Sequence, residues 1–465
     1  MDRATTINDG SLVVRGRDPF EMGASAVRAS GPRATLAIKA LARWGRAHPR
    51  DLERLGAVGP AGRRTLARMG SSGRAELEGA SRAICLDAGD LFAARTLMGS
   101  IAQPACTNFG AVGPATEDGG TMLSWNFDVT PLFKPLFGSF PLFVRELEGS
   151  IPYVAFGIPA LFGIGIMNAE GLSSVVNAVG IVDDGEGLSP FELNNIAMES
   201  CSTVAGAARV FADGPRRATK AMTVGLLMNW NTIWGDRDGN LSLFEYSHNH
   251  FNKHDVGEPG WVASANHHQF LDRSLTGSFD PESQALIAGS YSRLGRMQSL
   301  LGEHQGRIGP EVVKSIISDH IPDYSILKDF GIKREWWEQK VDDSTICAHA
   351  WNVREKLGKG QFGDAFMELG FSTTLFSMQI QPQKMTCWFT KGHPCSNETT
   401  PTYWGRLLGS SAERWPGAVE PRDLFKEKRQ TTRRSIFHRD APPLESALGS
   451  VWMWGVRTVE KPNFK

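Results

Sequence analysis

Apolar residues recur at three- and four-residue spacing through "TLAIKALARWGRAHPRDLERLG" (35–56) and "RAELEGASRAICLDAGDLFAARTLMGS" (74–100), with few β-branched residues among them. Both stretches predict helices, and residues 1–105 read as a helical lead-in. At Cys106 the texture changes. "CTNFGAVG" (106–113) and "TMLSWNFD" (121–128) predict short strands around the turn "EDGG". "LFGIGIMN", "GLSSVVNAVG", "TVGLLMNWN" and "LSLFEYSH" continue the strand pattern, with "GDRDGN" (235–240) as a hairpin turn. Helical periodicity returns in "SPFELNNIAMESCSTVAGAARVFADG", "PESQALIAGSYSRLGRMQSLLGEH" and "GPEVVKSIISDH". "STTLFSMQIQPQKMTCWFTKG" (372–392) predicts a final hairpin. From about residue 396 the pattern weakens, and "KEKRQTTRRS" (426–435) reads as a solvated basic tail.

Strands in bunches and helices in bunches predict a layered α+β fold, not an alternating βαβ sheet. The expected division is 1–105 helical segment, 106–395 core and 396–465 C-terminal extension. There is no internal repeat and no GxGxxG or GxxxxGK phosphate loop. The 465 residues are 41% hydrophobic and 22% charged, with a formal net charge of zero, which argues against a nucleic-acid binder. The longest apolar stretch, "IPYVAFGIPALFGIGIMN", is cut by Pro152, Pro159 and several glycines; it predicts buried strands, not a membrane span. The N-terminus has no apolar run after a basic start, so no secretory signal is read there, and a cytoplasmic location is the default expectation. The six cysteines form no CxxC pair and show no zinc-knuckle spacing. The adjacent His267 and His268 on an extended segment face opposite ways and cannot easily share a metal. Asp236 and Asp238 lack the glutamate spacing of a calcium loop and read as a turn. No metal or cofactor is expected.

A lone cysteine is ordinarily a small buried hydrophobe. Cys106 differs in its setting, because it opens a hairpin whose second strand brings back Asn126 and Asp128. "CTNFGAVGPATEDGGTMLSWNFD", "GIMNAEGLSSVVNAVG", "SANHHQF", "SYSRLGRMQSLL", "DDSTICAHA" and "TLFSMQIQPQKMTCWFTKGHPC" fall in one order along the chain. In that order they resemble the N-terminal-nucleophile amidohydrolases of the isopenicillin N acyltransferase type, relatives of choloylglycine hydrolase and acid ceramidase. The resemblance runs from roughly residue 10 to 395.

The resemblance implies a four-layer αββα sandwich and a precursor that cuts itself between Ala105 and Cys106. The two chains would stay associated. Cys106 would become a new N-terminus whose α-amine, with an ordinary pKa of about 7.7–8.0, serves as base for its own thiol. Asp128 matches the family's aspartate, which holds that amine. Asn266 matches the oxyanion donor, and such donors are each worth about 10²–10³ in rate. Arg293 matches an arginine near the cysteine. Asn177 and Trp125 are the substrate-side candidates; a buried Asn177 equally suits core structure. The implied substrate is a small-molecule linear amide, with water, an amine or an acyl-CoA as the other reactant.

Two departures stand out. Gly usually precedes the cysteine, and Ala105 tolerates a strained backbone less well. Trp125 stands where bile-salt and ceramide relatives carry Arg, which leans toward the penicillin-type branch. Hydrolase and acyltransferase share the same residues. An unprocessed binding protein and a redox-sensing thiol protein are the readings from other classes.

Overall fold

The computed structural model describes residues 12–101, 106–129, 141–220, 227–272, 281–329, 345–348 and 373–423. Two sheets dominate it. The larger runs in the order β1 (Val13–Gly16), β4 (Leu142–Leu147), β5 (Tyr153–Ile158), β6 (Phe162–Asn168), β7 (Ser173–Ile181), β9 (Leu227–Gly235), β10 (Leu241–Tyr246) and β11 (Phe251–Asp255); β8 (Thr219–Lys220) also pairs with β9. The smaller runs β12 (Trp261–Ser264), β2 (Thr107–Ala111), β3 (Met122–Val129), β13 (Thr373–Gln381), β14 (Thr386–Lys391) and β15 (Thr399–Tyr403). Only β1–β4 is parallel among these pairings. The fold is α+β, as its sequence pattern predicts.

β2 and β3 lie against β7 and β9, so the sheets face each other. Strands buried on both faces lose the in–out alternation of a half-exposed sheet. That is why β2, β5, β10 and β13 are buried at every position. The "GDRDGN" turn forms as predicted. The Asp236 carboxylate gathers the backbone N–H groups of Asp238 and Asn240, and it also accepts from Val204 N.

The N-terminal helices are α1 (Pro19–Ala47), α2 (Pro49–Arg54), α3 (Gly59–Arg68), α4 (Gly70–Ile84) and α5 (Ala88–Ile101). α1 breaks at Gly31, whose φ of 75° is followed by Pro32. Its backbone touches that of α4. A Cβ at Gly23 would fall 1.9 Å from the Glu76 carbonyl oxygen, and one at Gly79 would fall 1.8 Å from that of Phe20. The single helix expected over 74–100 is two, because Cys85 turns left-handed at φ 56°. α6 (Pro190–Ser200) starts on a Ser189–Glu192 capping box and packs on β6. α7 (Val204–Asp213) packs on β10 and β11. The helix Pro281–Glu303 lies against β12, and Pro310–Ile317 against β3 and β13.

Two further elements differ from the pattern reading. The lead-in is not only helical: β1 joins the larger sheet beside β4. The hairpin at 372–392 is not final, because β15 adds a third strand to it. Ala105, His349 and the basic run 426–435 lie outside the described residues. Among the described residues no helix is long and apolar enough to cross a membrane.

Candidate active site

Cys106 immediately precedes β2, and Asp128 is the last residue but one of β3. The antiparallel register pairs Thr107 with Asn126, which carries Cys106 to the side of Asp128. The Cys106 Sγ lies 3.9 Å from the Asp128 backbone oxygen, and both residues are buried. On the other side of β3, β13 pairs Thr374 with Asp128 and Phe376 with Phe127. Leu375 is the extra residue of a bulge, a device that re-aims side chains beside a site. Thr374 Oγ1 donates to Asp128 Oδ1 at 2.6 Å and accepts from Ala348 N at 3.0 Å. Thr374 escaped the sequence reading. It sat in the correctly predicted hairpin, but nothing in its spacing marks it.

Arg293, on the helix Pro281–Glu303, is buried. Its Nη1 donates to the Cys106 carbonyl at 2.7 Å and its Nη2 to Asn266 Oδ1 at 2.8 Å. Asn266 in turn donates from Nδ2 to the Ala178 carbonyl at 2.8 Å and takes its orientation from Ser290 Oγ through its backbone N–H. An amide nitrogen carries two hydrogens, so this bond uses one of them. Four sequence-predicted residues therefore meet: Cys106, Asp128, Asn266 and Arg293. His267, set aside as a ligand, bonds Ser290 Oγ at 2.7 Å and stacks on Tyr291 with ring centroids 3.8 Å apart.

Asn177 is placed elsewhere. It lies between the sheets, and its Nδ2 faces Asn108 Oδ1, Ser264 Oγ and the Ala265 carbonyl at 3.1–3.3 Å. Its neighbours Val176 and Ala178 line the cavity described next, and Asn177 does not. The core half of its two readings fits this position.

A cavity of about 390 Å³ opens onto Cys106. Trp125, Phe127, Phe156's neighbour Ala155, Phe162, Phe191 and Trp230 line its apolar wall. Trp125 is buried, and its indole N–H makes no hydrogen bond, although its proximity tends to lower the thiol pKa. Burial pushes the thiol pKa up to about 12, and the Asp128 carboxylate pushes the same way. The Asp128 backbone, the Trp125 N–H and the Arg293 charge pull against it without winning.

The N-terminal helices form the opposite wall, through Met69, Glu76, Phe92 and Arg95. Arg95 donates to the Ala160 carbonyl at 3.0 Å, and burial lowers its pKa. Arg145 on β4 receives Glu76 from α4 at 2.7 Å and Glu199 from α6 at 2.9 Å. Burial alone would raise the Glu76 pKa, yet the Arg145 charge holds it below the ordinary value.

No family model matches this chain, and no curated protein matches it. Solved structures do resemble it. Penicillin V acylase from Agrobacterium tumefaciens is 14% identical with a TM-score of 0.35, over 66% of this chain and 88% of that one. A variant of conjugated bile acid hydrolase from Clostridium perfringens is 11% identical with a TM-score of 0.33, over 72% and 100%. Another mutant of that hydrolase is 12% identical with a TM-score of 0.30, over 64% and 96%. Likenesses this slight do not assign a family.

Proposed function

We propose that this protein is a self-processing cysteine amidohydrolase or acyltransferase that acts on a linear amide through a thioester at Cys106. One observation carries the reading: Cys106, Asp128, Asn266 and Arg293 converge, and the first two line a largely apolar cavity. We read the helices outside each sheet, with the two facing sheets, as a four-layer αββα sandwich. Residues 1–105 would be the first chain and remain in place as a wall of the cavity.

In the intact chain the Cys106 nitrogen is an amide. The thiol attacks the Ala105 carbonyl, the C–N bond breaks, and the acyl group moves to sulfur. Water then cleaves the thioester. This leaves a carboxylate on residue 105 and an α-amine on Cys106. Arg293 keeps hold of the Cys106 carbonyl throughout, so the new terminus stays in position. The amine, beside the Asp128 carboxylate, takes the thiol proton and returns it to the leaving amine. The second N–H of Asn266 is the donor for the oxyanion. The apolar cavity wall suits an apolar acyl group. Transfer to an amine instead of water requires only that water be kept from the thioester.

A second reading, an unprocessed binding protein on the same fold, is favoured by the thiol pKa of about 12 in the uncut chain. Denaturing mass spectrometry of full-length wild type beside Cys106→Ala separates the two. Scaled by position from 50.8 kDa, cleavage before Cys106 yields pieces of about 11 and 39 kDa, and the variant stays whole. A single uncut chain in both would overturn the enzyme reading.

A further inference from the structure

Three side chains outside this centre converge with no part in the chemistry above. His320 lies in the loop after the helix Pro310–Ile317. Cys347 lies in the segment 345–348. Cys395 lies in the turn between β14 and β15. One ligand-type atom from each falls within 4.8 Å of the other two. The Cys347 and Cys395 sulfurs are 3.8 Å apart. A disulfide needs about 2.05 Å. Two thiolates sharing one tetrahedral zinc at about 2.3 Å stand about 3.8 Å apart. The observed separation matches that tetrahedral edge.

The three carrying segments are tied together by bonds that do not involve these side chains. Cys347 N donates to the Asp319 carbonyl at 3.0 Å, which fixes Cys347 against the residue preceding His320. Lys314 Nζ donates to the Asn397 carbonyl at 2.6 Å, which holds the Cys395 turn on the helix Pro310–Ile317. The ligand geometry is therefore preorganised by the backbone. His320 and Cys395 are exposed, so a cation can enter from solvent.

We propose that His320, Cys347 and Cys395 form a site for one thiophilic divalent cation, Zn²⁺ by its preference for two thiolates and an imidazole in a tetrahedron. The bound cation would pin the segment 345–348. That segment holds the catalytic sheet, because the Ile346 carbonyl accepts from Asn126 Nδ2 at 2.8 Å and Ala348 N donates to Thr374. The sequence hid the set, because the three ligands lie far apart along the chain and match no metal-site spacing.

The test uses the full-length protein, reduced and stripped of metal, titrated anaerobically with Co²⁺ as probe. One equivalent should produce the intense visible bands of tetrahedral cobalt and a thiolate charge-transfer band, both erased by Zn²⁺. Cys395→Ser should halve the charge-transfer band. His320→Ala should weaken binding by at least about tenfold. Both positions are exposed, so neither change empties the core, and the wild-type titration stands without them. An absent tetrahedral spectrum would overturn the proposal. So would a spectrum unchanged in Cys395→Ser. So would a Cys347–Cys395 disulfide forming in air in a chain that takes up no cobalt when reduced. None of these outcomes bears on cleavage at Cys106.

Discussion

Arg293 Nη1 donates to the Cys106 carbonyl at 2.7 Å across 187 residues of sequence. The same guanidinium holds Asn266 through Nη2. One planar group thus positions both Cys106, the proposed nucleophile, and Asn266, the expected oxyanion donor. Arg293→Ala should slow self-cleavage and amide turnover by about 10²–10³, the cost of disordering an oxyanion donor. Arg293→Lys should recover little of this, because an ammonium cannot span both acceptors in one plane. Cleavage followed on denaturing gels gives the rates. Near-wild-type rates in Arg293→Ala would show that the guanidinium only fills space.

On the proposed self-cleavage, the uncut thiol would set the pH dependence of processing. With its pKa pushed up to about 12 by burial and by Asp128, about one molecule in 10⁵ is thiolate at pH 7. Raising the pH increases that fraction roughly tenfold per unit, and the increase continues past the ordinary thiol pKa of about 8.5. Precursor refolded from denaturant should therefore cleave faster at each step up in pH, with no plateau near 8.5. A plateau there would mean that the attacking sulfur is solvated and not the buried one seen here. Once cleavage replaces the amide by an α-ammonium, the thiol gains a positive neighbour. Amide turnover by the processed chain should then follow a lower apparent pKa than processing does.

Much of the site was legible in sequence because its backbone is local. Cys106 and Asp128 belong to one hairpin, and a hairpin's register follows from its strand pattern and turn. Asn266 and Arg293 were found only through resemblance, since no periodicity links a loop residue to a helix across the fold. Thr374, the Ile346 carbonyl and Ala348 were missed for a related reason: a hydroxyl or a main-chain atom acquires its role from tertiary contact. β1 was missed because four residues are too few to show an alternation beside a 29-residue helix. Cys85 split a predicted helix through a left-handed residue that carries no glycine signature.

Asn177 shows how the face of a strand separates the two readings left open for it. Its neighbours Val176 and Ala178 line the cavity, while its own side chain bonds across to Asn108 and β12. Asn177→Ala should leave the Asn108 and Ala265 oxygens without that donor, at about 1–3 kcal/mol. Urea unfolding of the variant on a Cys106→Ala background measures this. KM for any amide substrate should stay unchanged in the Cys106 protein carrying the same change. A raised KM with unaltered stability would return Asn177 to the substrate.

On the proposed cleavage, Arg145 would help hold the N-terminal chain in place. Its side chain is 13% exposed, and it bridges Glu76 on the N-terminal helix α4 to Glu199 on α6. Removing the arginine leaves two largely buried carboxylates facing each other, whereas removing Glu76 leaves the Arg145–Glu199 pair intact. Arg145→Met should therefore cost about 3–5 kcal/mol, the penalty for uncompensated buried charge, and Glu76→Gln clearly less. Denaturant unfolding of the two variants on the uncut Cys106→Ala background compares them as single chains. In processed protein the same ranking should appear as dissociation: Arg145→Met should release the N-terminal piece on size exclusion, while Glu76→Gln retains it. Equal behaviour of the two variants would place the grip between chains elsewhere, in the pairing of β1 with β4.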